Sequence, residues 1–312
     1  MNSPRFLVIR FRAIGDCVMC TWAASSIRQK YPEAYIAWAV EDKCADVIDT
    51  HRLVNHLQVF PRSHWKKERA KIATWREQIA YYTSLRKDKF DFGIDLHGHS
   101  KTALALRLAA PKKRVAAYAT DAFARSLNPV PIIQPPLTHA VDHAMNVLRN
   151  LGDFPTVDLP IMPEPPQVSG LPDGQFISIC TGGSSNRKRY SPEHWNSVGK
   201  ILLDQGIPVV VIGGPGDPEI LDPRAINFPG KLTLKESMRI IKNSSVHIAP
   251  DTGTGHIAAA MGVPIVSLFG NAYHPAEVRP YSEKLVLLQV GEHPDSIPPE
   301  LVARSAIEFL GR

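Results

Sequence analysis

Short apolar runs alternate along this chain with longer stretches in which apolar positions recur every three or four residues. The first run, Phe6 to Phe11, is nearly continuous, which marks a strand buried on both faces of a parallel sheet. A helix is predicted over Cys17 to Lys30, with Trp22, Ala23 and Ile27 on its apolar side. Strands follow at Tyr35 to Val40 and Leu57 to Phe60, separated by a short helix around Cys44 to Ile48. The spacing then predicts a helix from about Lys66 to Arg86, a strand over Phe90 to Leu96, and a helix over Ser100 to Ala109 with Ser100 as its cap. Arg114 to Ala117 reads as a strand and His139 to Leu151 as a helix.

A second series begins at the strand Phe176 to Cys180. It runs through a helix at Glu193 to Asp204, a strand at Val209 to Ile212, a helix at Leu234 to Lys242, and a terminal helix at Pro299 to Leu310. Between the series, Pro155, Pro160, Pro163, Pro165 and Pro166 cannot sustain an interior helix or a central strand. They mark a linker, and domains are expected at 1–160 and 161–312. Alternating strands and helices in both halves imply two doubly wound α/β domains.

The length of 312 residues suffices for a core in each half, and 44% hydrophobic with 21% charged residues excludes a disordered chain. No run approaches the ~18 apolar residues of a membrane span. The N-terminal apolar run is short, ended by charge and lacks a small-residue cleavage site, so it reads as a first strand and a cytoplasmic location is expected. The net charge of +6 is unevenly spread, with Arg62, Lys66, Lys67, Arg69, Lys71, Arg76, Arg86, Lys87 and Lys89 in one segment. That segment suits an anionic membrane face, a phosphorylated substrate or nucleic acid, or is simply a solvated helix face; it carries no aromatic ladder that would favour nucleic acid. Among four cysteines, Cys17 and Cys20 form a C-x-x-C with no second pair at zinc-like spacing, which makes them core residues.

The densest chemistry lies in Ser244 to Gly270, a strand, a Pro-Asp-Thr-Gly-Thr-Gly turn, a small-residue helix from about His256 to Met261, and a strand at Ile265 to Phe269. Thr252 or Thr254 can cap that helix, Gly253 and Gly255 permit close approach to the backbone, and His256 lies in the first turn. A helix N-terminus of this kind suits a phosphate. D-T-G-x-x-H-x-A-A followed by G-x-P-x-V-x-L-F-G resembles the donor-nucleotide signature of glycosyltransferase family 9, the bacterial ADP-heptose:lipopolysaccharide heptosyltransferases.

The resemblance implies a GT-B architecture, two Rossmann-like domains facing a central cleft, with acceptor bound by the first and nucleotide sugar by the second. It leaves the terminal helix able to pack back on the first domain. I-R-F-R-A-I-G-D matches the family's opening strand and turn, and places Asp16 on the general base; by residue type alone Asp16 reads first as a helix N-cap, and both can hold. Asp95 to Thr102 resembles the family's D-x-x-G-x-x-K-(S/T) turn, which implies acceptor contacts from His97 and Lys101, although a structural turn explains the same residues. Arg62, Lys66, Lys67 and Arg125 fall on the acceptor side.

In the second half, Thr181, Gly182 and Ser184 follow a strand and would present N–H groups or hydroxyls to a phosphate. Lys188 aligns with the lysine of the family's K-x-W-P pattern, but Tyr190 and Ser191 stand where Trp and Pro are usual, and Pro192 comes one place late. Its charge would offset that developing on a leaving nucleoside diphosphate. Asp251, Thr252, Gly253, Thr254, Gly255 and His256 complete the implied donor site, with Asp251 directed to sugar hydroxyls. Met238 reads as core or as a neighbour of the base.

No D-x-D and no metal-ligand spacing stands out, so neither a metal nor another cofactor is expected; the nucleotide sugar is a substrate. The implied reaction is inverting transfer of heptose from ADP-heptose to an anionic lipopolysaccharide-core acceptor, with peripheral contact at the inner membrane and no nucleic-acid partner. A different nucleotide sugar, a protein acceptor, a sugar-nucleotide epimerase and a non-catalytic binding paralogue are the competing readings.

Overall fold

The computed structural model describes residues 3–68, 70–128 and 135–311, so Arg69 of the basic segment lies outside it. The chain divides into two compact units, Met1–Pro163 and Glu164–Arg312. Both are parallel α/β units, as the alternating pattern requires.

In the first unit the order is β1 (Arg5–Ile9), α1 (Ile14–Lys30), β2 (Tyr35–Glu41), β3 (His56–Phe60), α2 (Arg62–Lys67), α3 (Ile72–Ser84), β4 (Phe92–Asp95), α4 (Ser100–Ala109), β5 (Lys113–Ala116), α5 (Ala122–Leu127) and α6 (Ala140–Arg149). Its five strands lie in the order β3-β2-β1-β4-β5. Leu7 and Ile9 enter a core with Phe11, Ala37, Phe60, Trp65 and Tyr82, while Phe6 and Val8 are buried on the opposite face. Burial on both faces is why β1 has no polar alternation. Helix α1 packs on α6, and α4 packs on α3 and α5.

The second unit contains β6 (Ile177–Cys180), α7 (Pro192–Asp204), β7 (Val209–Ile212), β8 (Ile226–Asn227), α8 (Leu234–Asn243), β9 (Val246–Pro250), α9 (Gly253–Ala260), β10 (Ile265–Phe269), α10 (Pro275–Val278), β11 (Leu285–Gln289) and α11 (Pro299–Phe309). The strand order is β11-β10-β9-β6-β7-β8. Ile177, Ile179, Trp195, Val209, Val211, Ile248 and Leu268 form the core, and the terminal helix α11 packs on α7.

Two expectations change. The basic segment is two helices, one ending at Lys67 and the next starting at Ile72, and the Thr74 hydroxyl donates to the Glu68 carbonyl. Helix α4 has His99 rather than Ser100 at its N-cap; Thr102 Oγ1 accepts from the His99 N–H at 3.0 Å, while the Ser100 N–H donates to Asp121. The proline-rich stretch, which holds the boundary between the units, is strapped down on both sides of it. Its first part is held by Ser26 to the Pro155 carbonyl and by the Ile161 N–H to Ser25, at 2.8 Å. Its second part is held by Arg239, which donates to the carbonyls of Pro165 and Pro166 and pairs with Glu164.

One polar chain crosses the second core. The Ser244 hydroxyl donates to the Ile241 carbonyl, and the Ser178 hydroxyl donates to Ser244. Ser178 therefore accepts from Nδ1 of His247 at 2.8 Å, and this fixes the tautomer. Burial pushes the His247 pKa down to about 3, so the ring is neutral when folded. The unfolded chain takes up a proton below about pH 6.5, so this contribution is complete above that pH and declines as pH falls toward 3. Below about pH 6 the site should remove up to about 1.4 kcal/mol of stability per pH unit. Denaturant unfolding of His247→Gln at about pH 7 and about pH 5 should show a flatter acid loss than wild type. Equal slopes in both proteins would assign the titration to another group.

Candidate active site

In each sheet the winding reverses once, between β1 and β4 in the first unit and between β6 and β9 in the second. Loops leaving adjacent strands at such a point diverge, which is where open parallel sheets bind ligands. The sequence-derived candidates fall on these four loops and on their neighbours.

At the second switch point, the loop after β6 carries Thr181 to Lys188 and the turn after β9 carries Asp251 to His256. Lys188 Nζ lies 2.6 Å from Asp251 Oδ2 and joins the two loops. The ammonium also sits 4.5 Å from the centre of the Tyr273 ring, which comes from the loop after β10. The turn opens α9, with Thr252 in the N-cap position, and its hydroxyl lies 3.0 Å from that of Thr254. His256 is buried in the first turn. Cys180 is buried at the root of the same loops; desolvation raises its thiol pKa, opposed by hydrogen bonds from Thr254, Gly182 and Thr252.

One donor-side expectation needs revision. Thr181 is buried, its N–H donates to Ile212 and its hydroxyl to the Pro218 carbonyl at 2.6 Å, so it orders the loop and has neither group to offer. Gly255 does not occupy the left-handed region, and a Cβ there would only press on Pro280 at 3.3 Å. Gly182 is the position closed to a side chain, since its Cβ would lie 2.1 Å from Asp217 Oδ2. That carboxylate is held by the Gly214 N–H at 2.7 Å. Ser184 is exposed, and Met238 is fully buried core.

At the first switch point, Asp16 occupies the third position of α1 rather than the N-cap, and its Oδ2 accepts from the Ala13 N–H at 3.2 Å. The same oxygen is ion-paired with Arg10, while 38% of the Asp16 side chain stays exposed. Arg10 also donates to the carbonyls of Arg12 at 2.9 Å and Leu96 at 2.7 Å, tying the loop after β1 to the loop after β4. A small cavity of about 50 Å³ adjoins this pair, lined by Arg10, Asp16, Cys20, Leu96 and His143.

His97 accepts the Phe11 N–H at Nδ1, which leaves a proton on Nε2. Desolvation, then Arg10, His99, Arg12 and Arg62, push its pKa down to about 2, so the ring stays neutral. Asp95 receives the N–H groups of His97 and Gly98 and builds the turn. Glu41, buried at the end of β2, pairs with Arg62 at 2.5 Å and with Arg12 at 4.0 Å. Desolvation raises the Glu41 pKa against the pull of both cations. Lys101, on the first turn of α4, has its ammonium held below the usual range by desolvation and then by Arg62. Lys66, Lys67 and Arg125 are exposed on α2 and α5.

Arg10, Glu41 and Tyr273 were missed. A charge at the end of an otherwise apolar strand was the available signal for Arg10 and Glu41, and Tyr273 has none. Cys17 and Cys20 are buried free thiols, Cys20 pushed up to about 12 by burial, as core residues would be. Among the described residues no group of three or more His, Cys, Asp or Glu is placed to hold a metal ion.

The model of glycosyltransferase family 9 (heptosyltransferase) matches residues 79–298. Lipooligosaccharide heptosyltransferase 2 of Haemophilus influenzae is 26% identical over 320 residues, covering 92% of this chain and 88% of that protein. Lipopolysaccharide heptosyltransferase 1 of Escherichia coli K12 is 23% identical over 283 residues, covering 85% and 88%. The solved E. coli heptosyltransferase WaaC with ADP superposes with a TM-score of 0.82 at 21% identity, covering 98% of this chain and 99% of that one. At that identity the likeness speaks for the fold, which is GT-B.

The two glycine turns should respond differently to a methyl group. Gly98 has φ +70°, and a Cβ would lie 2.2 Å from the Tyr118 carbonyl oxygen. Gly98→Ala should therefore cost more than about 2 kcal/mol. Gly255→Ala should cost less than about 1 kcal/mol, because contact with Pro280 is partly offset by helix propensity. Urea unfolding of both variants measures this, and a Gly98→Ala protein of unchanged stability would refute the turn geometry.

Proposed function

The chain belongs to glycosyltransferase family 9, the heptosyltransferases, and we propose that it transfers heptose from ADP-heptose to an anionic lipopolysaccharide-core acceptor. The reaction in this reading inverts the anomeric carbon and uses no metal or other cofactor. The observation that carries it is the Lys188–Asp251 pair at the second switch point, beside the N-terminus of α9. An ammonium held there, together with the first N–H groups of the helix, suits a diphosphate. E. coli heptosyltransferase WaaC has been solved with ADP and with ADP-2-deoxy-2-fluoro heptose, which supports the choice of donor.

Asp16 is the general base in this reading. Its paired oxygen fixes the carboxylate, and its exposure leaves room for an acceptor hydroxyl. As that hydroxyl oxygen attacks the anomeric carbon, its proton passes to Asp16 and the bond to the diphosphate oxygen breaks. Lys188 stabilises the charge gathering on departing ADP, while Asp251 holds Lys188 in place and directs its carboxylate to sugar hydroxyls. Gly182, Ser184 and the Thr252 to His256 turn surround the diphosphate. His97, as a neutral Nε2 donor, and the cations Arg62, Lys66, Lys67, Lys101 and Arg125 receive the acceptor. The enzyme works in the cytoplasm, at the inner face of the membrane that holds its lipid acceptor.

Incubation with a panel of nucleoside-diphosphate sugars, with chelator present, tests donor and metal independence together. Turnover confined to another sugar nucleotide, or abolished by EDTA, would defeat the reading. Asp16→Asn should bind ADP normally and lower kcat by about 10²- to 10⁴-fold. Near-normal turnover in that folded variant would remove Asp16 from the mechanism. Lys188→Ala should lower kcat more than it weakens ADP binding by calorimetry, because the ammonium interacts most strongly with the departing charge. An equal loss in both would make Lys188 a ground-state anchor only.

A further inference from the structure

Helix α3 is turned against its own sequence. It buries Thr74, Gln78 and Tyr82, while Ile72, Trp75 and Ile79 are 74%, 59% and 41% exposed. Helices normally direct their apolar stripe at the core. At 100° per residue these three side chains fall within an arc of about 60°, so they form one stripe. Single exposed apolar residues mean little, but a stripe gained by burying polar residues instead marks a surface kept for a partner.

The charges around the stripe indicate which partner. Residues Arg62 to Lys89 contain nine basic and three acidic side chains, so this segment holds the chain's entire excess of +6. Lys66 and Lys67 on α2, Lys71 at the N-cap of α3 and Arg76 on α3 are exposed. Of the acids, Glu68 pairs with Lys71 at 2.8 Å, and Glu77 accepts from the buried Trp65 indole at 3.0 Å. An apolar stripe containing tryptophan and rimmed by cations is the pattern of a helix lying in a lipid interface.

We infer that the α2–α3 face docks on an anionic bilayer surface, with Ile72, Trp75 and Ile79 entering the headgroup–acyl boundary and the cations meeting lipid phosphates. This fits an enzyme with a lipid-borne acceptor but is read without donor or acceptor, so it can fail while the proposed reaction stands. Trp75 is its own reporter, because the other four tryptophans, Trp22, Trp38, Trp65 and Trp195, are buried.

The test is flotation with vesicles of phosphatidylglycerol and phosphatidylcholine, against phosphatidylcholine alone, with Trp75 emission recorded. The full-length protein should bind the anionic vesicles, with a blue shift that brominated lipid quenches and that raised salt weakens. Ile72→Ser/Trp75→Ser should lower vesicle partitioning at least about tenfold. Lys71→Gln/Arg76→Gln should lower it by about fivefold for each cation removed. Both variants change exposed residues, so unchanged circular dichroism and melting temperature should accompany the loss. The inference is overturned by absent vesicle binding, by binding with unchanged Trp75 emission, or by variants that bind like wild type. It is also overturned if ultracentrifugation without lipid finds a dimer that Trp75→Ser dissociates, since the stripe would then cover a second copy.

Discussion

A parallel sheet whose winding reverses must leave a gap where neighbouring loops diverge, and this constraint places the chemistry in both units. Side chains bridge it, and an ion pair sits at each bridge. In the first unit Arg10 donates to the Leu96 carbonyl while holding Asp16 of its own loop, and in the second Lys188 pairs with Asp251 across the two loops. The pairs are mounted in opposite senses. In the first the carboxylate is the more exposed partner, at 38% against 17% for the guanidinium. In the second the ammonium is the more exposed, at 16% against 9%. One gap thus presents a carboxylate and the other a cation, as the proposed base and the proposed counter-charge for a diphosphate require. A half-buried charge stripped of its partner is costly, so each pair also guards the fold around its loop.

The central strands were readable because burial on both faces leaves continuous apolar runs, as in Val209 to Ile212 and Ile265 to Phe269. The edges were not. Strand β11, Leu285–Gln289, is mostly half-buried, and β8 is only Ile226–Asn227, too short for any periodicity. The break between α2 and α3 was hidden because no Gly or Pro stands between the two helices, and it goes with a hydrogen bond that pattern does not reveal. Motif spacing placed Asp16, Lys188 and Asp251 in the segments that leave β1, β6 and β9, because the apolar runs mark where those strands end. It did not locate Arg10, whose bond to the Leu96 carbonyl spans 86 residues and exists only once β1 and β4 pair.

The departure from the family pattern after Lys188 resolves into structure. Tyr190 is buried, donates its hydroxyl to the Ile297 carbonyl at 2.7 Å, and meets the Trp195 ring edge-on. Ser191 caps α7 through the His194 N–H, and Pro192 takes the first helical position, where a missing N–H costs nothing. Tyrosine, serine and a displaced proline thus do the work of starting the helix, and they anchor the chain two residues beyond Lys188.

That anchoring explains how an exposed loop can hold a charge in place. The segment is pinned at one end by buried Thr181 on Pro218 and at the other by Tyr190 on Ile297. Between them, Ser184 to Arg187 are exposed, yet the Asn186 carbonyl is met by His293 at 2.8 Å and Arg187 reaches Asn271 at 3.2 Å. These contacts come from the loops after β11 and β10, so the position of Lys188 depends on the strand order on one side of the switch point. The loop is constrained by three neighbouring strands while its middle remains open to solvent. A ligand entering there would meet a cation already oriented, with little ordering left to do on binding.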